Sequence, residues 1–203
     1  MSGENLILAM NAGSSSIKFA VYRSAHMLAY AFGGAIETAG GQAARLRLDG
    51  GDPAWQDACL DADGSGAASE LLPRWLSQHV PAADLRAVAH RLVYGHADCA
   101  APAVLDANLL GRLRGACSGS TEHLPAQLAL IDALRRYFPA ARHLACFDSS
   151  FHAAMPRVAR TLPIPRRYHA LGVRRYGFHG ISCDYIVQAL AGLAGPPTPL
   201  APR

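Results

Sequence analysis

A run of small and hydroxyl-bearing residues followed by a lysine lies near the beginning of the chain, in "NAGSSSIKF" at positions 11–19. A short loop of this composition exposes backbone N–H groups and hydroxyls, which can hold phosphate oxygens without bulk. Lys18 is the only lysine of the chain, and we expect it to face the same side as Ser14 and Ser16. A compact ammonium suits a phosphoryl oxygen as a point charge, whereas a guanidinium demands a fork geometry. The loop therefore predicts a phosphate site, with a polar hairpin turn as the alternative from the loop alone.

An arginine and a histidine lie in two further polar segments. In "AHRLVYGH" (89–96), Arg91 lies near the end of a predicted strand, a suitable place for an arginine that pairs bidentately with a carboxylate. In "STEHLPAQ" (120–127), His123 lies just ahead of a predicted helix start, where backbone N–H groups are unpaired. Taken singly, Arg91 also fits a surface ion pair, and His123 also fits a hydrogen-bonded loop histidine.

A carboxylate and a histidine lie in two denser segments, "CFDSSFHAAMP" (146–156) and "RRYGFHGIS" (174–182). Asp148 directly follows a predicted buried strand, and residues at such strand ends are typically presented into a cleft. A cap for a helix that begins at Ser149 and Ser150 is the alternative role for Asp148. Phe178 and His179 lie at a predicted strand-to-helix corner, where a hydrogen-bonded core histidine is the alternative to a functional one.

The elements that must position these residues change in type along the chain. Strands joined as hairpins come first, because short apolar runs and strict alternation cover residues 5–10, 17–23, 27–37 and 44–50. Helices are predicted next over 68–80 (with a proline kink or restart), 106–116 (capped by Asp106), 124–138 and 179–195, with strands over 85–93 and 142–148. In the last helix, Ile186, Val187, Leu190 and Leu193 are expected to face inward.

The composition is that of a globular protein with one sizeable core. The chain has 203 residues, of which 51% are hydrophobic and 17% charged, and its net charge of +4 comes from scattered arginines. This distribution favours anionic small molecules over nucleic acid as ligands. No run of 18 apolar residues and no basic leader are present, so we expect a cytoplasmic protein without a membrane partner. The five cysteines form no C-x-x-C pair, and reduced, mostly buried thiols are expected rather than a zinc site.

Taken in order, "NAGSSSIKF", "HRLVYGH", "EHLPAQL", "FDSSFHAAMP" and "RRYGFHGISCDYI" resemble the signature segments of the acetokinase family, which includes acetate, propionate and butyrate kinases. The resemblance spans residues 5–190. It implies an α/β fold of the actin-like, acetate and sugar kinase (ribonuclease H-like) type, with a mixed sheet and flanking helices. It also implies direct in-line phosphoryl transfer from ATP to acetate, giving ADP and acetyl phosphate, with Mg²⁺ as cofactor.

The same resemblance implies roles around the phosphoryl group. Asn11 would help to hold magnesium and phosphate, and Ser14, Ser16 and Lys18 would line the phosphate and ATP site. His123 and His179 would donate hydrogen bonds to the phosphoryl group as it is transferred.

For the acyl substrate, the resemblance implies that Arg91 grips the acetate carboxylate. Val93 and Phe178 would form the apolar wall around the methyl group, and Asp148 would be the catalytic acid. Because a carboxylic acid is already ionised at neutral pH, little proton transfer is required. Asp148 is therefore better suited to orient magnesium or Arg91 than to remove a proton.

The chain departs from the family pattern in side chains around these positions. Tyr94 and His96 stand where the family has a histidine and a glycine, Glu122 where it has an apolar residue, and Cys183 where it has a histidine. A carboxylate at Glu122 would repel the acetate that it should shelter. Together these changes indicate relaxed constraint or an altered substrate.

Family members are about twice as long as this chain. The resemblance therefore predicts an N-terminal acetokinase domain over 1–190, a proline-rich tail over 191–203, and no C-terminal nucleotide-binding domain. The expected small-molecule partners are acetate or another short carboxylate, including propionate or butyrate, and ATP/ADP. A homodimer or a separately encoded second half is a further expected partner. A non-catalytic truncated remnant and one half of a split enzyme are the alternatives to an active kinase.

Overall fold

The computed structural model describes residues 4–13, 16–37, 44–55, 60, 67–93, 99–116 and 124–194. The chain divides into two compact units, unit 1 with residues 1–92 and 103–145, and unit 2 with residues 93–102 and 146–203. Unit 1 is built on a β-sheet with helices, whereas the described part of unit 2 is mainly helical.

A mixed seven-stranded sheet is the framework. Its strands are β1 (Leu6–Ala12), β2 (Ser16–Ser24), β3 (Leu28–Glu37), β4 (Arg45–Gly50), β5 (Leu85–Leu92), β6 (Ala103–Val104) and β7 (Arg142–Phe147). They lie in the order β4-β3-β2-β1-β5-β7-β6. The first four strands pair antiparallel as successive hairpins, and β5 pairs parallel with β1. The α/β class with a mixed sheet, predicted from the sequence, is confirmed.

Alternation in β1 determines which face of the sheet is covered. Leu6, Leu8, Met10 and Ala12 are buried, while the residues between them are half-buried, as expected when only one face is packed. The buried face meets two helices, α1 (Ala68–His79) and α3 (Leu124–Tyr137), which also contact each other. Burial of these apolar side chains is the main stabilising contribution to unit 1. The core contains Leu8, Val21, Leu72, Leu76 and Leu134 among its fully buried members.

The helices of unit 1 begin and end close to the predicted positions. Helix α1 continues through the buried Pro73. Of the predicted kink or restart, the restart is therefore wrong, because the helix does not end there. Helix α2 (Ala107–Ala116) is capped as expected, because the Leu109 N–H donates to Asp106 Oδ1 at 2.7 Å. A 3₁₀ turn at Pro53–Trp55 and the two-residue strand β6 were not predicted, because both are too short to carry a period.

Unit 2 contains four helices among its described residues: α4 (Asp148–Phe151), α5 (Arg157–Arg160), α6 (Arg166–Ala170) and α7 (Gly180–Ala194). Helix α7 is where the sequence predicts it. The expected inward face is wrong, however, because Ile186, Val187, Leu190 and Leu193 are 54%, 56%, 58% and 86% exposed. An apolar stripe faces inward only when another element covers it, and among the elements described α7 packs mainly against the single turn of α4.

Of the helices in the described part of the chain, none combines the length and the apolar character needed to cross a membrane.

Candidate functional site

Asn11 and Arg91 lie side by side near the carboxyl ends of two parallel neighbouring strands. Met10 of β1 is in register with His90 of β5, which places the next residue of each strand together. The Arg91 Nη1 group donates a hydrogen bond of 2.8 Å to Asn11 Oδ1, and both side chains are half-buried. The carboxyl ends of parallel strands are where α/β sheets bind ligands, so this pair lies where the fold presents functional groups.

Lys18 faces the Asn11 side chain across the β1–β2 ladder. The two residues are direct partners in the antiparallel register, and such partners project from the same face of a sheet. Ser16 projects from this face too, because it lies two residues before Lys18 on β2. Ile17 and Phe19 between and beyond them are buried in the core on the other face. One face of the sheet thus carries an exposed ammonium, a guanidinium, an amide and a hydroxyl, a set suited to an anion.

Gly13, just after β1, is hydrogen-bonded to the first residue of β2. The Gly13 N–H donates to the Ser16 carbonyl at 2.9 Å, and a Cβ on Gly13 would lie 3.3 Å from that oxygen, a closer contact than most side chains make. On the α3 side, the buried Gln127 Nε2 donates to the Ala12 carbonyl at 3.3 Å and holds the end of β1. Sequence reasoning missed Gln127, because the contact spans 115 residues and has no local pattern.

Val93, Asp148, Phe178 and His179 belong to unit 2. Asp148 is fully buried at the start of α4, and its Oδ1 accepts a hydrogen bond of 3.4 Å from the Ile181 N–H. A carboxylate at a helix N-terminus is favourable because the first N–H groups have no partners within the helix. The aspartate therefore caps α7, a different helix from the one that the sequence suggested. Phe178 is exposed and Val93 is half-buried.

The corner before α7 is held in an unusual backbone conformation. His179 has a φ of 56°, in the left-handed region that non-glycine residues rarely occupy, and Gly177 has a φ of 81°. A Cβ on Gly180 would overlap the Asp148 carbonyl oxygen and lie 2.7 Å from Phe151 Cβ. His152 ties down the same corner, with its Nε2 2.9 Å from the Phe178 carbonyl oxygen. Strain of this kind is often stored at functional sites, and here it is imposed on the histidine proposed to contact phosphate.

Two of the predicted site residues, Ser14 and His123, lie outside the described residues. Three positions where the chain departs from the family pattern also lie outside them: Tyr94, His96 and Glu122. The other predicted residues fall into two sets. Asn11, Ser16, Lys18 and Arg91 share one face of unit 1. In unit 2, Asp148, Phe178 and His179 lie at the α4–α7 corner, and Val93 directly follows β5 in the sequence. A single phosphoryl group is small, so its ligands must meet within a few ångströms. That Asn11, Arg91, Asp148 and His179 converge on one cleft stays a prediction.

The residues around Asn11 do not make a magnesium site by themselves. Magnesium in proteins is usually held by one or two carboxylates together with phosphate oxygens and water. Asn11 offers a single neutral oxygen, and that oxygen already accepts from the Arg91 cation. Within the described ranges, no group of three or more histidine, cysteine, aspartate or glutamate side chains is arranged to hold a metal ion. A metal at this site would have to arrive with phosphate.

A pair of buried histidines lies beneath the site and was not anticipated. His90 Nε2 is 3.0 Å from His143 Nδ1, and His143 Nε2 is 3.2 Å from the Phe138 carbonyl oxygen. Because the carbonyl can only accept, His143 carries its proton on Nε2 and His90 donates to it. Burial, then the nearby His143 and Arg135, lowers the pKa of His90 to about 3. Burial also lowers the pKa of His143. The pair is therefore neutral, and it adds no positive charge to the anion site.

The family model that matches the chain is that of the acetokinase family, over residues 6–199. Among curated proteins, the acetate kinase of Ectopseudomonas mendocina is 38% identical over 198 residues, covering 97% of this chain and 49% of that protein. The acetate kinase of Rhodopseudomonas palustris (strain TIE-1) is 32% identical, covering 94% and 49%. The chain therefore spans about half the length of the curated relatives that it matches.

Solved structures match the fold over the same extent. A propionate kinase from Francisella tularensis superposes with a TM-score of 0.79 at 24% identity, covering 95% of this chain and 50% of that one. The acetate kinase of Porphyromonas gingivalis superposes with a TM-score of 0.76 at 23% identity, with the same coverage. At these identities the likeness shows the fold alone, and the expected α/β fold with a mixed sheet and flanking helices is one that the chain shares with these acetate and propionate kinases.

Proposed function

The chain belongs to the acetokinase family of phosphotransferases, and we propose that it supplies the carboxylate- and phosphate-binding half of an acetate kinase. The observation that carries the proposal is the Arg91–Asn11 hydrogen bond of 2.8 Å, formed on the face from which Lys18 also projects. Two cations and an amide donor on one face suit a carboxylate and a phosphoryl group that must meet there.

The proposed reaction is an in-line displacement. A carboxylate oxygen of acetate forms a bond to the γ-phosphorus of ATP while the bond from that phosphorus to the bridging oxygen breaks, and ADP leaves with the electron pair. Catalysis of such a step depends mainly on positioning and on countering charge on the equatorial oxygens. Arg91 would orient the carboxylate, and Lys18, Asn11 and Ser16 would bind phosphate oxygens. Magnesium enters as part of the MgATP substrate, since Asn11 alone does not hold it.

The remaining proposed roles belong to residues of unit 2 and to two residues outside the described ranges. His179, held at its strained corner, and His123 would donate to the transferred phosphoryl group, and Ser14 would join the phosphate loop. Phe178 and Val93 would border the methyl group of acetate. For Asp148, burial and its hydrogen bond to the Ile181 N–H favour an orienting role over proton transfer.

The chain spans about half the length of its relatives, so the proposal concerns only part of the reaction. The adenosine site of an acetate kinase would have to come from sequence equivalent to the relatives' second half. The alternatives to an active kinase are a non-catalytic remnant and one half of a split enzyme. The alternative substrates are propionate and butyrate. The propionate kinase from Francisella tularensis resembles the chain in fold, but a shared fold does not determine which of these acids is the substrate.

The test compares two arginine–asparagine pairs on the same strand. Arg91 bonds Asn11, while Arg86 donates to Asn5 Oδ1 at the same distance of 2.8 Å near the other end of β5. We expect Arg91→Ala to weaken acetyl phosphate binding at least tenfold, as for the loss of a charge-assisted hydrogen bond, and Arg86→Ala to leave it unchanged. Isothermal titration calorimetry measures both. Equal affinities for the two variants would refute the assignment of the anion site.

A further inference from the structure

Gln127 is a polar side chain on the buried face of α3. It is 3% exposed, and the other buried residues of this helix are all apolar: Leu124, Leu128, Leu130, Ile131, Ala133 and Leu134. Burying a carboxamide is unfavourable unless it forms hydrogen bonds, whereas an apolar side chain at the same position would be buried without that cost. The hydrogen bond that Gln127 makes is therefore what distinguishes it from its apolar neighbours.

That hydrogen bond is made to the last residue of β1. Gln127 Nε2 donates to the Ala12 carbonyl oxygen at 3.3 Å. The N–H of the same peptide unit, which belongs to Gly13, donates to the Ser16 carbonyl at 2.9 Å. Because a peptide unit is planar and rigid, these two hydrogen bonds together fix the orientation of the whole Ala12–Gly13 unit. The direction in which the chain leaves β1 thus depends on Gln127.

The Ala12–Gly13 unit adjoins the anion-binding face. Asn11, whose Oδ1 accepts a hydrogen bond from Arg91, directly precedes Ala12 on β1. Ser16, whose carbonyl holds the other end of the unit, is the first residue of β2. A rotation of this peptide unit would therefore move Asn11 and Ser16 relative to each other. Gln127 itself lies on the buried face of the sheet with α3, so it acts on these residues through the backbone.

Gln127 also packs against the strand that carries Arg91. A narrow crevice within unit 1 is lined by Gln127 together with residues of both strands, among them Ala12 of β1 and His90 and Arg91 of β5. The crevice has no room for a water molecule. An apolar side chain of the same volume as Gln127 would therefore leave the Ala12 carbonyl without this donor, because no water could replace it.

We propose that Gln127 is a positioning residue for phosphoryl binding, whose carboxamide orients the Ala12–Gly13 unit so that Asn11 and Ser16 present their side chains together to a phosphate group. The inference rests on the proposed function of the anion-binding face, and it assigns to Gln127 no contact with the substrate. Side chains that are already ordered bind an anion more tightly than side chains that binding must order, because no free energy is then lost on ordering them.

Gln127→Met tests this role, because methionine is apolar, favours helices and is a flexible, unbranched side chain of similar length. We expect it to weaken acetyl phosphate binding about threefold to tenfold, the range of one neutral hydrogen bond, in isothermal titration calorimetry on fully folded protein. Hydrogen exchange of the Gly13 amide, followed by NMR, should become faster as well, because the peptide unit loses one of its two hydrogen bonds.

Leu134→Val is the matched control in the same helix. Leu134 is fully buried and does not line the crevice, so this variant loosens the packing of α3 without altering the contacts of the Ala12–Gly13 unit. It should lower the urea midpoint of unfolding and leave both the acetyl phosphate affinity and the Gly13 exchange rate unchanged. Equal losses of affinity in Gln127→Met and Leu134→Val would show that Gln127 acts only through stability, and would overturn the positioning role.

Arg91→Ala separates this inference from the proposed function. If Arg91→Ala weakens acetyl phosphate binding and Gln127→Met does not, the anion site stands and the positioning role is wrong, whatever the Gly13 exchange rate. If the unchanged protein does not bind acetyl phosphate, or if neither variant alters its affinity, the proposed function is wrong and the role of Gln127 is wrong with it.

Discussion

Lys18 is the residue whose replacement tests the phosphate site most directly. Its position opposite Asn11 in the β1–β2 register places a compact ammonium on the anion-binding face. Lys18→Ala should weaken phosphate or acetyl phosphate binding by about 1 to 3 kcal/mol, the contribution of a charge-assisted hydrogen bond. Lys18→Arg should restore only part of this, because the guanidinium is larger and geometrically stricter. Calorimetric titration of the three proteins measures the difference.

Arg23 provides the control for Lys18. It lies on the same strand, β2, but pairs with Glu4 at 3.1 Å on the surface, so Arg23→Ala removes the same charge away from the site. An Arg23→Ala protein with normal phosphate affinity would exclude a general charge effect. If Lys18→Ala bound phosphate as tightly as Arg23→Ala, Lys18 would be an ordinary surface residue.

His90 makes the stability of unit 1 depend on pH. Its pKa is lowered from 6.5 to about 3 by burial, His143 and Arg135, so between these values the unfolded chain binds a proton that the folded chain does not. Stability therefore decreases as the pH falls through this window, by about 1 to 2 kcal/mol between pH 6.5 and 5. Urea unfolding at several pH values measures the slope. It should flatten in His90→Gln and stay unchanged in His26→Gln, an exposed position before β3. Parallel slopes in all three proteins would show that another group titrates.

Strands and helices were predictable where a period was long enough to read. A short apolar run identified β1, alternation identified β2 and β4, and the 3.6-residue period identified α3. The same rule failed for α7, whose apolar residues are exposed, because a sequence pattern cannot reveal whether the covering element is present. Helices α5 and α6 were missed, since four or five residues rich in arginine carry no period.

Gly180 is the residue on which the start of α7 depends. Gly180→Ala should shift α7 away from Asp148, because a Cβ there would overlap the Asp148 carbonyl oxygen. We expect faster hydrogen exchange at the Ile181 N–H, which donates to that aspartate at 3.4 Å. Gly192→Ala in the same helix is the control: a Cβ there meets nothing within 4 Å, and alanine should stabilise the helix by about 1 kcal/mol. Unchanged exchange at Ile181 in Gly180→Ala would mean that the close contact is relieved without displacing the helix.

Across the chain as a whole, the predicted site residues are distributed over the two units, each with its own set. Residue types and motif order indicated Asn11, Lys18 and Arg91, and the strand register explains why they share a face. The partners that support them, Gln127 and the His90–His143 pair, could not be foreseen, because their contacts join residues 115 and 53 positions apart. Only folding brings such distant residues together, whereas a sequence motif contains information only about residues within a few positions of each other.

The catalytic rate of residues 1–203 alone best distinguishes an active kinase from one half of a kinase. Transfer requires acetate and ATP held in line, and a chain spanning 49% of an acetate kinase offers the proposed acyl and phosphate contacts without the relatives' second half. Losing a single charge-stabilising group commonly costs about a hundredfold or more in rate, so ATP-dependent acetate phosphorylation should be close to undetectable. A hydroxamate assay on monodisperse protein measures it, with the full-length acetate kinase of Ectopseudomonas mendocina as the positive comparison. Turnover of the 203-residue polypeptide at about 1 to 100 per second, the ordinary range for kinases, would mean that these residues suffice for the whole reaction.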